Sequence, residues 1–330
     1  MSLEPADFFA TTRVVIVAGK GGVGKTTVAA ALARTAARAG LRTLIVEVEG
    51  KSGLPGLFGQ SGLGYEESVL HPGGGPGGDA DVAARTLTPD DALLEYLRDH
   101  GMGRISKRLA ASGALDVVAT AAPGIKDILI LGKVKQLEVE GRFDLIVLDA
   151  PAAGHAISFL RSPRGLIDAV SVGPINAQAR EALDMLTDPT RCQVVLVTLP
   201  EETPVNELVE TAYALEDEVG IALGPVVVNG LFDDLPGLDA DPAEAASSAG
   251  AGLHPGEAAA LHEAAAFRLD RMALQGEQVD RLAGRLPLPQ LRLPYVFRTD
   301  LGPDDVERLA DAAATGIAAL TSLGDRGGVA

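Results

Sequence analysis

Lys20, Lys25 and Thr26 stand in one short turn, "GKGGVGKTT" (19–27), between an apolar run and an alanine-rich stretch. Their types and spacing suit the binding of a phosphate chain. Residues 19–26 fit G-x-x-x-x-G-K-T, and an apolar run before and a helical pattern after supply the required context. Gly21, Gly22 and Gly24 let backbone N–H groups turn inward and approach phosphate oxygens, with Val23 and Thr27 completing the cradle. The positive end of the following helix faces the same anion. Lys25 is placed to neutralise β- and γ-phosphates, and the Thr26 hydroxyl to ligate Mg²⁺.

Lys20 is the unusual member. It lies too early in the loop to duplicate Lys25. Two roles are open to it on the residues alone: a solvated surface cation, or a cation that reaches across a two-fold axis to a nucleotide in a partner subunit.

The elements that position these residues follow from patterning. "RVVIVA" (13–18), "TLIVEVE" (43–49), "FDLIVLDA" (143–150), "CQVVLVTL" (192–199) and "GPVVVNG" (224–230) are rich in Val, Ile and Leu without polar alternation. Strands covered on both faces look this way. Helical patterns lie between them. In 203–219, Thr203 is placed to cap, Pro204 to sit first, and Val205, Leu208, Val209, Ala212, Leu215 and Val219 to form one stripe. Residues 257–286 read as one long helix, and 88–91 as a helix start. The alternation predicts an α/β fold: a mostly parallel, doubly wound sheet in a single domain over 1–330. Helical insertions are expected at about 88–135 and 160–188, and flexible loops at about 71–81 and 238–256.

The net charge of −17 opposes nucleic acid and anionic membrane as main partners, and no local basic patch offsets it. No apolar run approaches the ~18–20 residues of a membrane span. Residues 1–13 carry no secretory pattern, so the expected compartment is the cytoplasm. The single cysteine, Cys192, opens a strand and reads as a small buried hydrophobe.

"GKGGVGKTT" resembles the deviant phosphate loop of the dimerising ATPases that include the ArsA and Get proteins, MinD/ParA and the nitrogenase iron protein. That likeness implies ATP and Mg²⁺ as ligands and a cross-dimer role for Lys20. "LDAPAAGHAISFLRSP" (148–163) is similar to the second switch of the ArsA/Get branch, D-T-A-P-T-G-H-T-L-R-F-L, with Asp149, Gly154, His155, Phe159 and Leu160 on matching positions. Asp149 is thereby expected to hold the Mg²⁺ water shell, and Gly154 and His155 to move with nucleotide state. "TLIVEVEGKSGLPGLF" (43–58) aligns with the first switch, where Leu54 and Phe58 match and Glu49 stands for the aspartate that positions water. The proline and histidine that follow are replaced by Gly50 and Ser52. Glu47, on the same strand, is the next candidate. The resemblance places Asn229 on the adenine ring, and Pro294 and Phe297 in a loop over its face.

The departures also carry information. One cysteine does not make an arsenite site, and "HEAA" (262–265) holds no sulfur for a zinc clasp between subunits. The four methionines do not line a groove for a membrane helix. The chain looks most like the short actinobacterial ArsA/Get-like ATPases. Two functions follow from the likeness: a Mg²⁺-dependent ATPase that works as a homodimer or heterodimer and drives a client protein, or a weakly hydrolysing regulatory subunit of a heterodimeric pair. A ParA/MinD-like positioning ATPase is disfavoured by the charge.

Overall fold

The computed structural model describes residues 3–48, 53–74, 78–99, 124–151 and 153–320, with the backbone alone at 99 and 153–155. After a short helix α1 (Pro5–Phe9), β1 (Val14–Gly19) leads through the glycine turn into α2 (Lys25–Arg38). β2 (Thr43–Val48), α3 (Leu54–Leu57), β3 (Ser68–His71), β4 (Val82–Leu87), α4 (Pro89–Asp99) and α5 (Ile125–Glu140) follow. Next come β5 (Leu145–Asp149), α6 (Ala153–Ala169), α7 (Pro174–Thr187), β6 (Cys192–Thr198) and α8 (Glu202–Ala214), which ends in a π turn. The described chain closes with β7 (Val226–Leu231), α9 (Pro242–Ser248), α10 (Glu257–Arg285), β8 (Gln290–Pro294) and α11 (Pro303–Ala319).

The strands form one sheet in the order β3-β4-β2-β5-β1-β6-β7-β8. All pairings are parallel except β3 with β4. Alternate residues of each central strand feed two cores. Val14, Ile16 and Ala18 face one layer with Ile146 and Leu148, while Val15 and Val17 face the other with Leu145 and Val147. Both faces are covered, which favours apolar residues at most positions and accounts for the long apolar runs. The expected α/β, doubly wound architecture is the one observed.

Several local expectations are corrected. Helix α8 starts at Glu202, so Thr203 lies inside its first turn and is not the cap. Pro204 then falls where helix N–H groups have no intrahelical partner, and its missing N–H costs nothing. Residues 290–294, expected in a loop, form the outer strand β8. β3 and β4 were not foreseen. Residues 88–91 do start a helix, with Asp91 N donating to Thr88 Oγ1 at 3.2 Å. Among the described residues no helix is long and apolar enough to cross a membrane.

Candidate functional site

The site lies where β1 gives way to α2. Gly19 has φ +158°, and a Cβ there would stand 2.4 Å from the carbonyl oxygen of Val197 on β6. Gly24, the N-cap of α2, has φ +87°, and a Cβ there would meet Asn229 Nδ2 at 2.3 Å. Both positions require glycine for space as well as conformation. Val23 is buried beneath the loop, while Gly21 and Gly22 are open to solvent. The cradle is thus pinned from below by β6 and β7 and left open above.

Lys25 reaches back along the loop, its Nζ donating to the Lys20 carbonyl at 3.1 Å. Burial lowers its basicity, and Asp149 partly restores it. The Thr26 hydroxyl donates to Asp149 Oδ2 at 2.6 Å. This bond is set by topology: Asp149 ends β5, in register with Val17 of the neighbouring β1. Asp149 is 7% exposed, and its Oδ1 has no hydrogen-bond partner. Burial pushes its carboxyl up to about 6, against the pull of the Thr26 hydrogen bond and of Lys25, with Glu47 adding to the push. A buried carboxylate with an unsatisfied oxygen beside a hydroxyl fits a hard divalent cation such as Mg²⁺. Thr26 and Asp149 are the residues that would hold it.

Asn229 lies at the end of β7 against the loop, its Nδ2 donating to the Val23 carbonyl at 2.9 Å. Pro294 ends β8, and Phe297 beyond it is 66% exposed. Phe297 stacks on Phe232 at 5.6 Å and meets Tyr295 at 4.6 Å, and the Arg268 guanidinium covers Phe232 at 4.0 Å. Lys20 is held within its own chain, Nζ to Glu207 Oε1 at 2.6 Å. Gly154 and His155 fall in the first turn of α6. Glu49 lies outside the described residues.

The sequence did not point to Glu207, Phe232, Tyr295 or Arg268. Glu207 is 187 residues from Lys20, and no local pattern joins them. Phe232 did carry a signal: it follows Asn229 by three residues in "NGLFDD", at the end of a strand whose tip faces the loop.

A parallel sheet wound on both faces, with a glycine loop leading into a helix at its centre and an acid at the tip of the next strand, defines a phosphate-loop nucleotide-binding protein. A family model described as "Anion-transporting ATPase" matches residues 12–172, which contain the loop and Asp149. ATPase BagA of Mycobacterium tuberculosis is 35% identical over 224 residues, covering 66% of this chain and 64% of BagA. The arsenical pump-driving ATPase of Escherichia coli is 26% identical over 239 residues, covering 65% of this chain and 38% of that protein. ATPase get3 of Botryotinia fuckeliana is 25% identical over 223 residues, covering 67% of this chain and 60% of get3. The chain is similar to ATPases of the ArsA/Get type, some of them actinobacterial, and the aligned stretch spans less than two thirds of each of these three proteins.

Proposed function

We propose that this chain is a Mg²⁺-dependent ATPase that closes as a dimer on ATP and couples that closure to a client protein. The observation that carries the proposal is the Thr26–Asp149 hydrogen bond at the mouth of the glycine loop, with Asp149 Oδ1 buried and unpartnered beside it. A bound Mg²⁺ would neutralise charge on the β- and γ-phosphates. The chain's own groups do the rest. Backbone N–H groups of residues 21–27 hold the phosphates, Lys25 leaves the Lys20 carbonyl to meet them, and Asn229 fixes the loop from below, its amide oxygen being the group that would accept from the base. Pro294 and Phe297 bound the base on its other side. Lys20 adds its charge from the partner subunit, Glu49 orients the attacking water, and Gly154 and His155 follow the γ-phosphate.

The proposal is tested with purified protein. ATP binding that strengthens with Mg²⁺, is lost in Lys25→Ala, and leads to turnover supports it. Protein that binds no nucleotide overturns it.

A second reading has its own motive. Glu49 is one methylene longer than the aspartate of the resembling switch, which fits a weakly hydrolysing subunit that uses ATP to hold a related partner. Turnover by the chain alone, abolished in Glu49→Gln, excludes this reading. Dimerisation on ATP without turnover favours it.

A further inference from the structure

β2 ends in a second buried carboxylate. Glu47 lies opposite Asp149 in the parallel register of β2 and β5, so both side chains leave the sheet on the same face. Glu47 is 3% exposed and Asp149 7%. Glu47 Oε2 accepts a hydrogen bond from Thr86 Oγ1 of β4 at 2.8 Å. Two carboxylates placed side by side out of water repel each other, and each is costly to desolvate. A tie between β2 and β4 does not require that cost, since a neutral side chain would accept the same hydrogen bond from Thr86. A cation shared by both charges would offset part of that cost. Asp149 Oδ1, buried and unpartnered beside the Thr26 hydroxyl, marks where such an ion would sit.

We propose that Glu47 belongs to the divalent-cation site, supplying the second carboxylate that faces the ion held by Thr26 and Asp149. The cation class is hard and oxygen-seeking, Mg²⁺ or Mn²⁺. Thr86 holds the Glu47 carboxylate in place, much as residues outside a metal's own ligands orient those ligands. This inference rests on the nucleotide-binding function proposed above, and its test separates the two.

Mn²⁺ is titrated into the full-length chain with saturating ADP, and free Mn²⁺ is read by electron paramagnetic resonance. ADP affinity is measured separately in EDTA. Glu47→Gln, which keeps an acceptor for Thr86, is expected to weaken Mn²⁺ binding about ten-fold. Its ADP affinity in EDTA is expected to hold or rise, because a negative charge near the phosphates has gone. Glu47→Asp should recover part of the Mn²⁺ affinity, and Thr86→Val, which leaves both carboxylates in place, should lose less than Glu47→Gln does. Thermal melts establish that each variant is folded, and Glu47→Asp carries the comparison if Glu47→Gln is not. Unchanged Mn²⁺ affinity in Glu47→Gln overturns the inference, as does an equal loss in Thr86→Val, which would make the pair a strand tie. A parent chain that binds ADP no more tightly with Mn²⁺ than in EDTA overturns the broader function instead.

Discussion

Lys20 Nζ and Glu207 Oε1 lie 2.6 Å apart, an ion pair that joins the phosphate loop to α8 of the same chain. The side chains are 42% and 39% exposed, so the pair is worth no more than about 1 kcal/mol. A lysine that acts on the partner's nucleotide must first leave this contact. Glu207→Gln is therefore expected to lower the ATP concentration at half-dimerisation by up to about five-fold, as read by sedimentation across an ATP series. The gain should shrink at high salt, where the exposed pair is already screened. Lys20→Ala should abolish nucleotide-dependent dimerisation. If Glu207→Gln dimerises at the parent's ATP concentration, the ion pair does not restrain Lys20.

Asp149 is expected to cost the folded chain stability at neutral pH. Its carboxyl is raised from 3.8 to about 6, chiefly by burial. The folded chain therefore holds this proton through a window in which the unfolded chain has released it. Stability from this group is greatest below pH ~4, declines as pH rises through the window, and reaches a constant penalty above pH ~6. A shift of about two pH units corresponds to a penalty on the order of 2–3 kcal/mol. Asp149→Asn should accordingly raise the denaturation midpoint of the nucleotide-free protein at pH 8. That advantage should fade towards pH 4, and the same variant should lose its response to Mg²⁺. Equal midpoints at pH 8 would show that Asp149 is not strained there.

The parts of this molecule that could be read from the sequence are those in which a local pattern carries the physics. The loop at 19–27 announces itself because each glycine and the Lys-Thr pair answers a separate demand of phosphate binding. β1, β2, β5, β6 and β7 could be read because strands covered on both faces are apolar at most positions. β4 escaped because "VAARTL" contains Arg85 and Thr86, and both are buried. They are tolerated only through distant partners: the Tyr65 ring beneath the Arg85 guanidinium at 4.5 Å, Glu67 at 3.6 Å, and Glu47 for Thr86. β8 carries no strand signal of its own, since the resemblance points to a loop there and Pro287, Pro289 and Pro294 crowd it; an outer strand accommodates prolines that a central one would not. The pairing of Lys20 with Glu207 and the grouping of Phe232, Tyr295, Phe297 and Arg268 are created by the fold, and no window of sequence contains them.

Gly24 and Asn229 form a lock whose two halves can be separated. Asn229 Nδ2 bonds the Val23 carbonyl at 2.9 Å, in the space a Cβ on residue 24 would need. Gly24→Ala should cost roughly 1–2 kcal/mol for the left-handed backbone and about 1 kcal/mol more for the displaced amide. Asn229→Ala should cost only the hydrogen bond, about 1 kcal/mol. In the double variant the steric clash disappears while the backbone strain remains, so the two losses should sum to more than the measured loss by about 1 kcal/mol. Urea unfolding of the four chains completes the cycle, and strict additivity would show that Asn229 does not press on the loop.

Arg34 fastens α2 to its surroundings. Its side chain is 6% exposed and pairs with Asp79 in the segment before β4 and with Glu307 on α11. Arg38, one turn further on, pairs with the same Glu307 and with Asp311. Beneath these charges, Val306, Leu309, Ala313 and Ile317 of α11 pack in the core that α2 also fills. The Arg34 hydrogen bond holds the Asp79 carboxyl below its ordinary range, so this contribution is present near neutrality and is lost as pH falls through the acid range. Arg34→Ala leaves two carboxylates facing each other across a cavity and should destabilise the chain by about 2–4 kcal/mol, discounted from a fully buried pair because both acids are about one-third exposed. Arg34→Lys should recover less than half of the loss, because one ammonium cannot span two acids that the guanidinium fork reaches together. A denaturant midpoint for Arg34→Lys equal to the parent's would show that charge alone, without the fork, secures the helix that begins at the phosphate loop.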